Sequence, residues 1–170
     1  RLVVPRSHYD DAVAAAAGTM AGIKPGDPND PGTVCGPLIS ARQRDRVQGY
    51  LDSAIAEGGT FACGGGRPAG RDVGYFIEPT GLDNDARVAR EEIFGPVLTV
   101  IAHDGDEDAL RIANDSPYGL SGTVFSADAE RAERFAARMR VGTVNVNGGV
   151  WYSADAPFGG YKQSGNGREM

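Results

Sequence analysis

Short apolar runs alternate with stretches of helical periodicity along this chain of 170 residues. That alternation is typical of an α/β fold, in which helices connect the strands of a sheet. The predicted strands are Leu2–Val4, Phe61–Cys63, Tyr75–Ile77, Val97–Ala102, Gly122–Phe125 and Thr143–Val146. No repeat or linker divides the sequence. We therefore predict one domain over residues 1–170, with strands made parallel by helical crossovers.

Capping residues and apolar spacing predict the first two helices. Ser7 offers an N-cap for an Ala-rich helix that ends near Gly22. Ser40 and Gln43 form a capping box, in which each side chain is expected to bond the other residue's backbone N–H. The apolar face behind that box comprises Val47, Tyr50, Leu51, Ala54 and Ile55. Their spacing predicts one buried helical face.

The other segments divide into two helices and two irregular stretches. A third helix is predicted over 106–114, and Ser126 is expected to cap a fourth helix that Gly142 closes. Prolines and glycines predict a loop over 24–37. From Gly148 onward the sequence is rich in glycine and has no clear period. We expect an irregular path there.

Charge, hydropathy and cysteine usage limit the possible partners. The net charge of −6 argues against a nucleic-acid binder, and no apolar run reaches the roughly 18 residues of a membrane span. Cys35 and Cys63 form no CxxC pair, so we predict free thiols in a reducing compartment and a cytoplasmic location. The chain starts at Arg1, within a strand pattern. We expect it to be a piece of a longer protein.

Most familiar catalytic motifs are missing from the sequence. It contains no HExxH, no GxSxG and no GxxxxGK[ST] motif, and no metal site is predicted. The run from Gly165 to Gly167 begins a dinucleotide-binding pattern, but Met170 occupies the place of the last glycine. Cys35 has no histidine nearby in sequence, so a structural thiol is the preferred interpretation over a nucleophile.

Two segments remain unexplained by composition. The first is Glu91-Glu92-Ile93-Phe94-Gly95-Pro96, just before a predicted buried strand. Its Glu92 could pair locally with Arg87 or Arg90, or it could bind a ligand. The second segment, 157–169, has four glycines within nine residues. Such a backbone can approach another group closely, although a flexible tail would have a similar composition.

These segments resemble the hallmark stretches of the aldehyde dehydrogenase superfamily. The similar sequences, in family order, are GPLI (36–39), EEIFGPV (91–97), ANDSPYG (113–119), GTVNVN (142–147) and PFGGYKQSGNGRE (157–169). The resemblance covers essentially the whole chain. It implies an α/β, parallel-sheet, three-layer catalytic domain of the aldehyde dehydrogenase type, truncated at both ends. It also implies oxidation of an aldehyde to a carboxylic acid with NAD or NADP through a cysteine thioester.

The resemblance assigns roles to individual residues. Glu92 matches the glutamate that binds the nicotinamide ribose, and Phe94 matches the aromatic residue beside it. The residues that match the substrate tunnel are Val150, Trp151, Tyr152 and Phe158. Trp151 could equally serve in core packing. Glu169 matches a glutamate that relays protons behind the general base.

Other parts of the family machinery have no match in these residues. The resemblance places the nucleophilic cysteine just before the Leu2–Val4 strand, and neither it nor the general-base glutamate is in this sequence. It also places a strand used in subunit assembly after Met170, which implies a homo-oligomeric parent protein. We therefore expect the isolated chain to be inactive. A non-catalytic binding or structural module is the alternative, whereas a generic nucleotide-binding domain is disfavoured because no phosphate loop is complete.

Overall fold

The computed structural model of the protein describes residues 1–83, 87–149 and 153–169. The chain forms two compact units, Arg1–Ala102 and His103–Met170. The single domain predicted over residues 1–170 stays a prediction.

The first unit combines a mixed four-stranded sheet with two helices. Its elements are β1 (Leu2–Pro5), α1 (Tyr9–Ala21), α2 (Ala41–Ala56), β2 (Thr60–Cys63), β3 (Thr80–Asp83) and β4 (Val97–His103). Short 3-10 helices occupy Arg6–His8 and Arg87–Ala89. The sheet order is β1-β4-β3-β2, with β3 and β4 parallel and β2 and β3 antiparallel.

The antiparallel pair departs from the all-parallel prediction for a simple reason. No helix lies between β2 and β3, so the chain has no crossover that would return it in the parallel direction. The two strands are instead joined through the turn at 64–66, where Gly65 N–H donates to the Thr80 hydroxyl at 2.9 Å.

The core of the first unit forms between α2 and the segments that face it. The buried cluster comprises Val47, Tyr50, Leu51, Ala54, Ile77, Leu82, Val88 and Ile93. Four of the five residues predicted for the apolar face of α2 are in this cluster, whereas Ile55 is 46% exposed. Ile55 lies at the end of α2 and at the margin of its apolar arc, where the predicted burial is wrong.

Three further predictions in the first unit need correction. Tyr75–Ile77 is not a strand, although Phe76 and Ile77 are buried, because an apolar run indicates burial without deciding its backbone pairing. Ser7 lies inside a 3-10 helix and bonds His8, which is the N-cap residue of α1. The capping box is half formed. Ser40 accepts from Gln43 N–H at 3.1 Å, but the Gln43 amide bonds elsewhere.

The second unit contains two helices and two pairs of strands. Its elements are α3 (Asp106–Asn114), β5 (Tyr118–Gly119), β6 (Ser121–Val124), α4 (Ala129–Ala136), β7 (Thr143–Val146) and β8 (Tyr161–Lys162). Strands β6 and β7 are parallel, as the intervening helix predicts, and β5 and β8 are antiparallel. The predicted strands at 97–102, 122–125 and 143–146 are thus confirmed within a residue or two.

The boundaries of α4 differ from the prediction at both ends. Asp128, not Ser126, is its N-cap, and its carboxylate accepts from Arg131 N–H at 3.0 Å. Ser126 instead accepts from Asp128 N–H, one step before the helix. The helix ends at Ala136, well before Gly142. Gly142 has a packing role that is described below.

Two kinds of feature are absent from the described residues. None of the helices there is long and apolar enough to cross a bilayer. The same residues contain no cluster of histidine, cysteine and carboxylate side chains suited to a metal ion.

Candidate functional site

The first candidate region is the loop of residues 91–96, between the 3-10 helix at 87–89 and β4. Its side chains alternate between interior and solvent. Ile93 is buried in the core, whereas Glu92 is exposed and Phe94 is 70% exposed. The Glu92 and Phe94 side chains are therefore exposed on either side of a residue that is buried in the core.

The backbone of this loop takes a restricted path at Phe94 and Gly95. Phe94 has φ = 59°, a left-handed conformation that costs a non-glycine residue about 1–3 kcal/mol. Gly95 lies against α2, where an added Cβ would stand 2.7 Å from a methyl group of Val47. The loop therefore needs a glycine at position 95 and strong restraints at position 94.

Helix α2 supplies two restraints at the start of the loop. The Tyr50 hydroxyl donates to the Glu91 carboxylate at 2.6 Å. One turn earlier, the Arg46 guanidinium donates to the Glu92 carbonyl at 2.9 Å. Arg46 also lies over the Tyr50 ring, 5.4 Å from its centroid. The Glu91 side chain and the Glu92 main chain are thus both fixed by the same helix.

A third restraint from α2 is the side-chain amide of Gln43. Its nitrogen Nε2 donates to the carbonyls of Ile93 and Phe94, each at 2.9 Å. An amide nitrogen carries two hydrogens, so both donors are used. This is why Gln43 does not complete the capping box at Ser40.

The Glu92 side chain itself is not part of these restraints. Within residues 1–83, 87–149 and 153–169, its carboxylate makes no hydrogen bond or ion pair, so the pairing with Arg90 is absent there. The Arg87 side chain lies outside the described structure. Local pairing with Arg87 and binding of a ligand therefore both stay predictions for Glu92.

The second candidate region is the segment of residues 157–169. Phe158 and Glu169 form a backbone bridge, in which each N–H donates to the other's carbonyl at 2.8 Å. Phe158 is half-buried and Glu169 is exposed. The structure thus brings together these two predicted site residues. Val150, Trp151 and Tyr152 lie outside the described residues.

Glycines allow the 157–169 segment to pack backbone against backbone. A Cβ on Gly142 would stand 1.6 Å from the Gly159 carbonyl oxygen, and one on Gly159 would stand 2.2 Å from that of Gly167. Both distances are far below any van der Waals contact. The close approach predicted for this segment is therefore observed, and its path is fixed by neighbouring main chain.

Lys162 connects this segment to the ANDSPYG sequence. Its Nζ donates to the carbonyls of Asn114 and Ser116, at 2.9 and 3.0 Å. Gly119 N–H donates to the Ser164 hydroxyl at 3.0 Å. Two of the sequence motifs thus form one local structure in the second unit.

The cysteines agree with the predicted structural role. Cys35 and Cys63 are both free and half-buried. Burial raises the pKa of the Cys35 thiol, which lowers the population of the reactive thiolate. This agrees with Cys35 being a structural thiol and not a nucleophile.

Sequence reasoning did not assign the role of Gln43, Arg46 and Tyr50 toward the loop. The sequence placed Gln43 in a capping box and Tyr50 on the apolar face of the helix, and both predictions concern local structure only. Their spacing of three and four residues does place them on one face of a helix. Only the fold, however, brings that face to a loop more than 40 positions further along the chain.

Comparison with known proteins gives consistent matches over the whole chain. It is 47% identical to the geranial dehydrogenase of Castellaniella defragrans, an alignment that covers all of this chain and 36% of that protein. A crystal structure of Staphylococcus aureus betaine aldehyde dehydrogenase with NAD+ superposes with a TM-score of 0.94 at 44% identity, covering 99% of this chain and 34% of that one. The structure of a Mycobacterium tuberculosis aldehyde dehydrogenase with NAD+ superposes with a TM-score of 0.91 at 48% identity, covering 98% of this chain and 35% of that one.

The chain thus spans about a third of the length of the relatives it matches. Its α/β fold, with a parallel pair of strands at the centre of the first sheet, matches the corresponding part of these structures. The profile of the aldehyde dehydrogenase family matches residues 1–170. On this full-length match and these similarities, the chain belongs to the aldehyde dehydrogenase family.

Proposed function

We propose that this chain is part of an NAD(P)+-dependent enzyme that oxidises an aldehyde to a carboxylic acid. The observation that carries the proposal is the 91–96 loop, which presents the Glu92 carboxylate and the Phe94 ring to solvent while its backbone is fixed by α2. The NAD+ complexes of the similar S. aureus and M. tuberculosis enzymes support the choice of cofactor.

The chemistry of Glu92 and Phe94 fits the nicotinamide end of NAD(P). A carboxylate that makes no other described bond can accept hydrogen bonds from two neighbouring ribose hydroxyls. A flat, exposed ring two residues away can pack beside the nicotinamide. When bound, NAD(P)+ supplies the acceptor for the hydride that the aldehyde loses.

The remaining steps are assigned to the parent protein and to the 157–169 segment. We propose that oxidation proceeds through a thioester on a cysteine of the parent protein outside these 170 residues. One water then hydrolyses the thioester to the acid and the free thiol. Glu169 would hold and pass a proton in that step, since its main chain is fixed by the backbone bridge to Phe158 and its side chain is exposed.

The residues that we propose for the substrate tunnel are apolar or aromatic. Val150, Trp151, Tyr152 and Phe158 would form the substrate tunnel. Such a lining favours apolar or aromatic aldehydes and helps to exclude water. The half-buried position of Phe158 agrees with this role. We further propose that residues 1–170 belong to one catalytic domain, and that the parent is a homo-oligomer of the cytoplasm.

The test uses the full-length protein that carries this chain. With NAD(P)+ and a panel of apolar, aromatic and polar aldehydes, we expect reduction of the cofactor, followed by its absorbance. Glu92→Gln removes the charge but keeps the shape. We expect the KM for NAD(P)+ to rise about 10-fold or more, as for the loss of hydrogen bonds to a charged group.

The control is Glu130→Gln, because the Glu130 side chain is 88% exposed and its one contact with the described residues is a long ion pair with Arg134, at 3.5 Å. It should leave the kinetics unchanged. If no aldehyde supports reduction of NAD(P)+, the catalytic proposal is wrong and a non-catalytic module becomes the better interpretation. An unchanged KM in Glu92→Gln would reject only the ribose role.

A further inference from the structure

Helix α2 holds the 91–96 loop through donors arranged in order along one face. Tyr50 bonds residue 91, Arg46 bonds residue 92, and Gln43 bonds residues 93 and 94. As the loop advances, its partners step back along the helix by three or four residues. That spacing keeps all three donors on the same face.

The atoms that accept these bonds are as informative as the donors. Within the loop, Arg46 and Gln43 bond carbonyl oxygens, those of Glu92, Ile93 and Phe94, and the Arg46 guanidinium also donates to the Tyr50 hydroxyl on α2 at 3.4 Å. The helix therefore fixes the main chain and leaves the side chains of Glu92 and Phe94 unoccupied by these bonds. A purely structural anchor could as well have used the side chains.

Gln43 acts at the most demanding point of the loop. For one amide nitrogen to bond two consecutive carbonyls, those carbonyls must converge on it. They do so where Phe94 adopts its left-handed conformation, with φ = 59°. The conformation that places the Phe94 ring in solvent is thus the one that Gln43 stabilises.

We propose that Gln43 and Arg46 are positioning residues of the cofactor site, which set Glu92 and Phe94 in their binding arrangement before the cofactor arrives. This inference rests on the proposed function of those two residues. It adds that affinity for NAD(P)+ depends on α2 through the loop. A loop fixed in advance loses less conformational freedom on binding.

The helix itself provides matched controls. Gln48 is five positions after Gln43, and its amide donates to Asp52 on the same helix, at 3.0 Å, and to no other described residue. Arg44 is two positions from Arg46, and among the described residues its guanidinium bonds only the neighbouring Asp45, at 2.7 Å. Replacing Gln48 or Arg44 therefore tests the same residue type in the same helix without touching the loop.

The first experiment needs no cofactor. In the full-length protein, hydrogen exchange of the amides of residues 92–95 and 97 is compared between wild type, Gln43→Met and Gln48→Met. Met retains the length of the side chain but donates no hydrogen bond. We expect exchange to be roughly 10-fold faster in Gln43→Met and unchanged in Gln48→Met.

A rescue variant distinguishes the loss of hydrogen-bond donors at position 43 from the loss of side-chain packing there. Lys162 shows in this chain that one ammonium can bond two nearby carbonyls. Gln43→Lys retains such donors, so it should restore slow exchange, whereas Gln43→Glu has the shape of glutamine but no donor and should not. If Gln43→Met leaves the exchange unchanged, the positioning role is overturned.

The second experiment measures the Kd of NAD(P)+ by calorimetry in a double-mutant cycle. We expect Gln43→Met or Arg46→Met to weaken binding about 10-fold, and Arg44→Met to have no effect. In a Glu92→Gln/Phe94→Ala background, the effect of Gln43→Met should fall to less than about 3-fold, because Gln43 would act through those side chains.

An equal loss in both backgrounds would show that Gln43 acts independently of the two side chains, and would overturn the proposal. Absence of any NAD(P)+ binding by the wild-type protein would instead refute the proposed function. The exchange experiment keeps the two failures distinguishable, because it reports on the loop without the cofactor.

Discussion

The 91–96 loop and the 157–169 segment are held in place by opposite means. The loop depends on side chains of α2, whose donors bond its carbonyl groups one after another. The 157–169 segment depends mainly on residues without a side chain, because the glycines at 142 and 159 allow two stretches of main chain to pack directly against each other. Lys162, Ser164 and Arg168 add side-chain hydrogen bonds to this packing.

This difference indicates how each region should respond to change. Hydrogen bonds can be lost singly, each at a modest cost, and another donor can replace them. Where two main-chain segments lie too close together for a Cβ atom to fit between them, any residue other than glycine must push one segment away. We therefore expect the loop to tolerate graded changes and the 157–169 segment to tolerate very few.

The largest effect is expected for Gly142→Ala. The new Cβ would stand 1.6 Å from the Gly159 carbonyl oxygen. That oxygen belongs to the main chain, so it cannot move aside by a side-chain rotation. We expect the free energy of unfolding to fall by at least about 3 kcal/mol, the upper end of the range for overpacking. Chemical denaturation of the full-length protein measures this change.

Gly167→Ala is the control, because a Cβ there meets nothing within 4 Å. It should change stability by only a few tenths of a kcal/mol. If Gly142→Ala is equally mild, the segment is less constrained than the structure indicates, and the contrast with the loop is lost.

A smaller effect is expected for Lys162→Met, which removes a side-chain donor that, like Gln43, bonds two main-chain carbonyls. The carbonyls of Asn114 and Ser116 would lose their bonds to Nζ, whereas the left-handed backbone at residue 162 stays the same. Loss of hydrogen bonds from a charged donor predicts a decrease of about 1.5–3 kcal/mol in the free energy of unfolding. Urea denaturation provides the measurement, and Lys24→Met, at an exposed position, provides the control.

The smallest effect concerns exposed ion pairs in the second unit. Asp106 pairs with Arg131, and Glu107 pairs with Arg138 at 2.6 Å. Hydrogen bonds from the guanidinium groups hold the pKa of each carboxyl below its ordinary value. A lowered folded-state pKa stabilises the fold above the unfolded-state value, and that contribution is lost as the pH falls through the folded-state value.

The variant Asp106→Asn/Glu107→Gln should therefore melt slightly below wild type at neutral pH. The difference should shrink as the pH drops below about 4, the ordinary carboxyl range. Because these side chains are exposed, we expect a small shift even at neutral pH. Melting curves over a pH series measure it. A difference that grows toward acid would contradict the assignment.

The features that the sequence predicts correctly are those with local signals. The apolar period of α2 and the continuous apolar run of β4 both mark their elements within one or two residues. The run Tyr75–Ile77 misleads because burial and strand formation favour the same residues. The cap at Asp128 is missed because Ser126, two residues earlier, carries the same kind of signal.

The candidate site likewise has some features with local sequence signals and others that depend on long-range contacts. Composition did not decide whether Glu92 forms a local ion pair or binds a ligand, and only the family resemblance favoured ligand binding. What fixes its main chain could not be predicted, because Gln43 and Arg46 are separated from their acceptors by about 50 positions. Long-range bonds of this kind arise from the fold, and no pattern within either segment encodes them.

The Asn147 side chain has a consequence for the chemical ageing of the polypeptide. Its Oδ1 accepts from Ser126 N–H and its Nδ2 donates to the Ser126 carbonyl, each at 2.8 Å. Asn-Gly sequences deamidate when the following backbone nitrogen attacks the side-chain amide, and this amide would have to break both bonds to rotate into position. Asn166, which also precedes a glycine, is exposed and has no such pair of bonds among the described residues. The two Asn-Gly sequences of this chain are therefore unequally protected against conversion to aspartate.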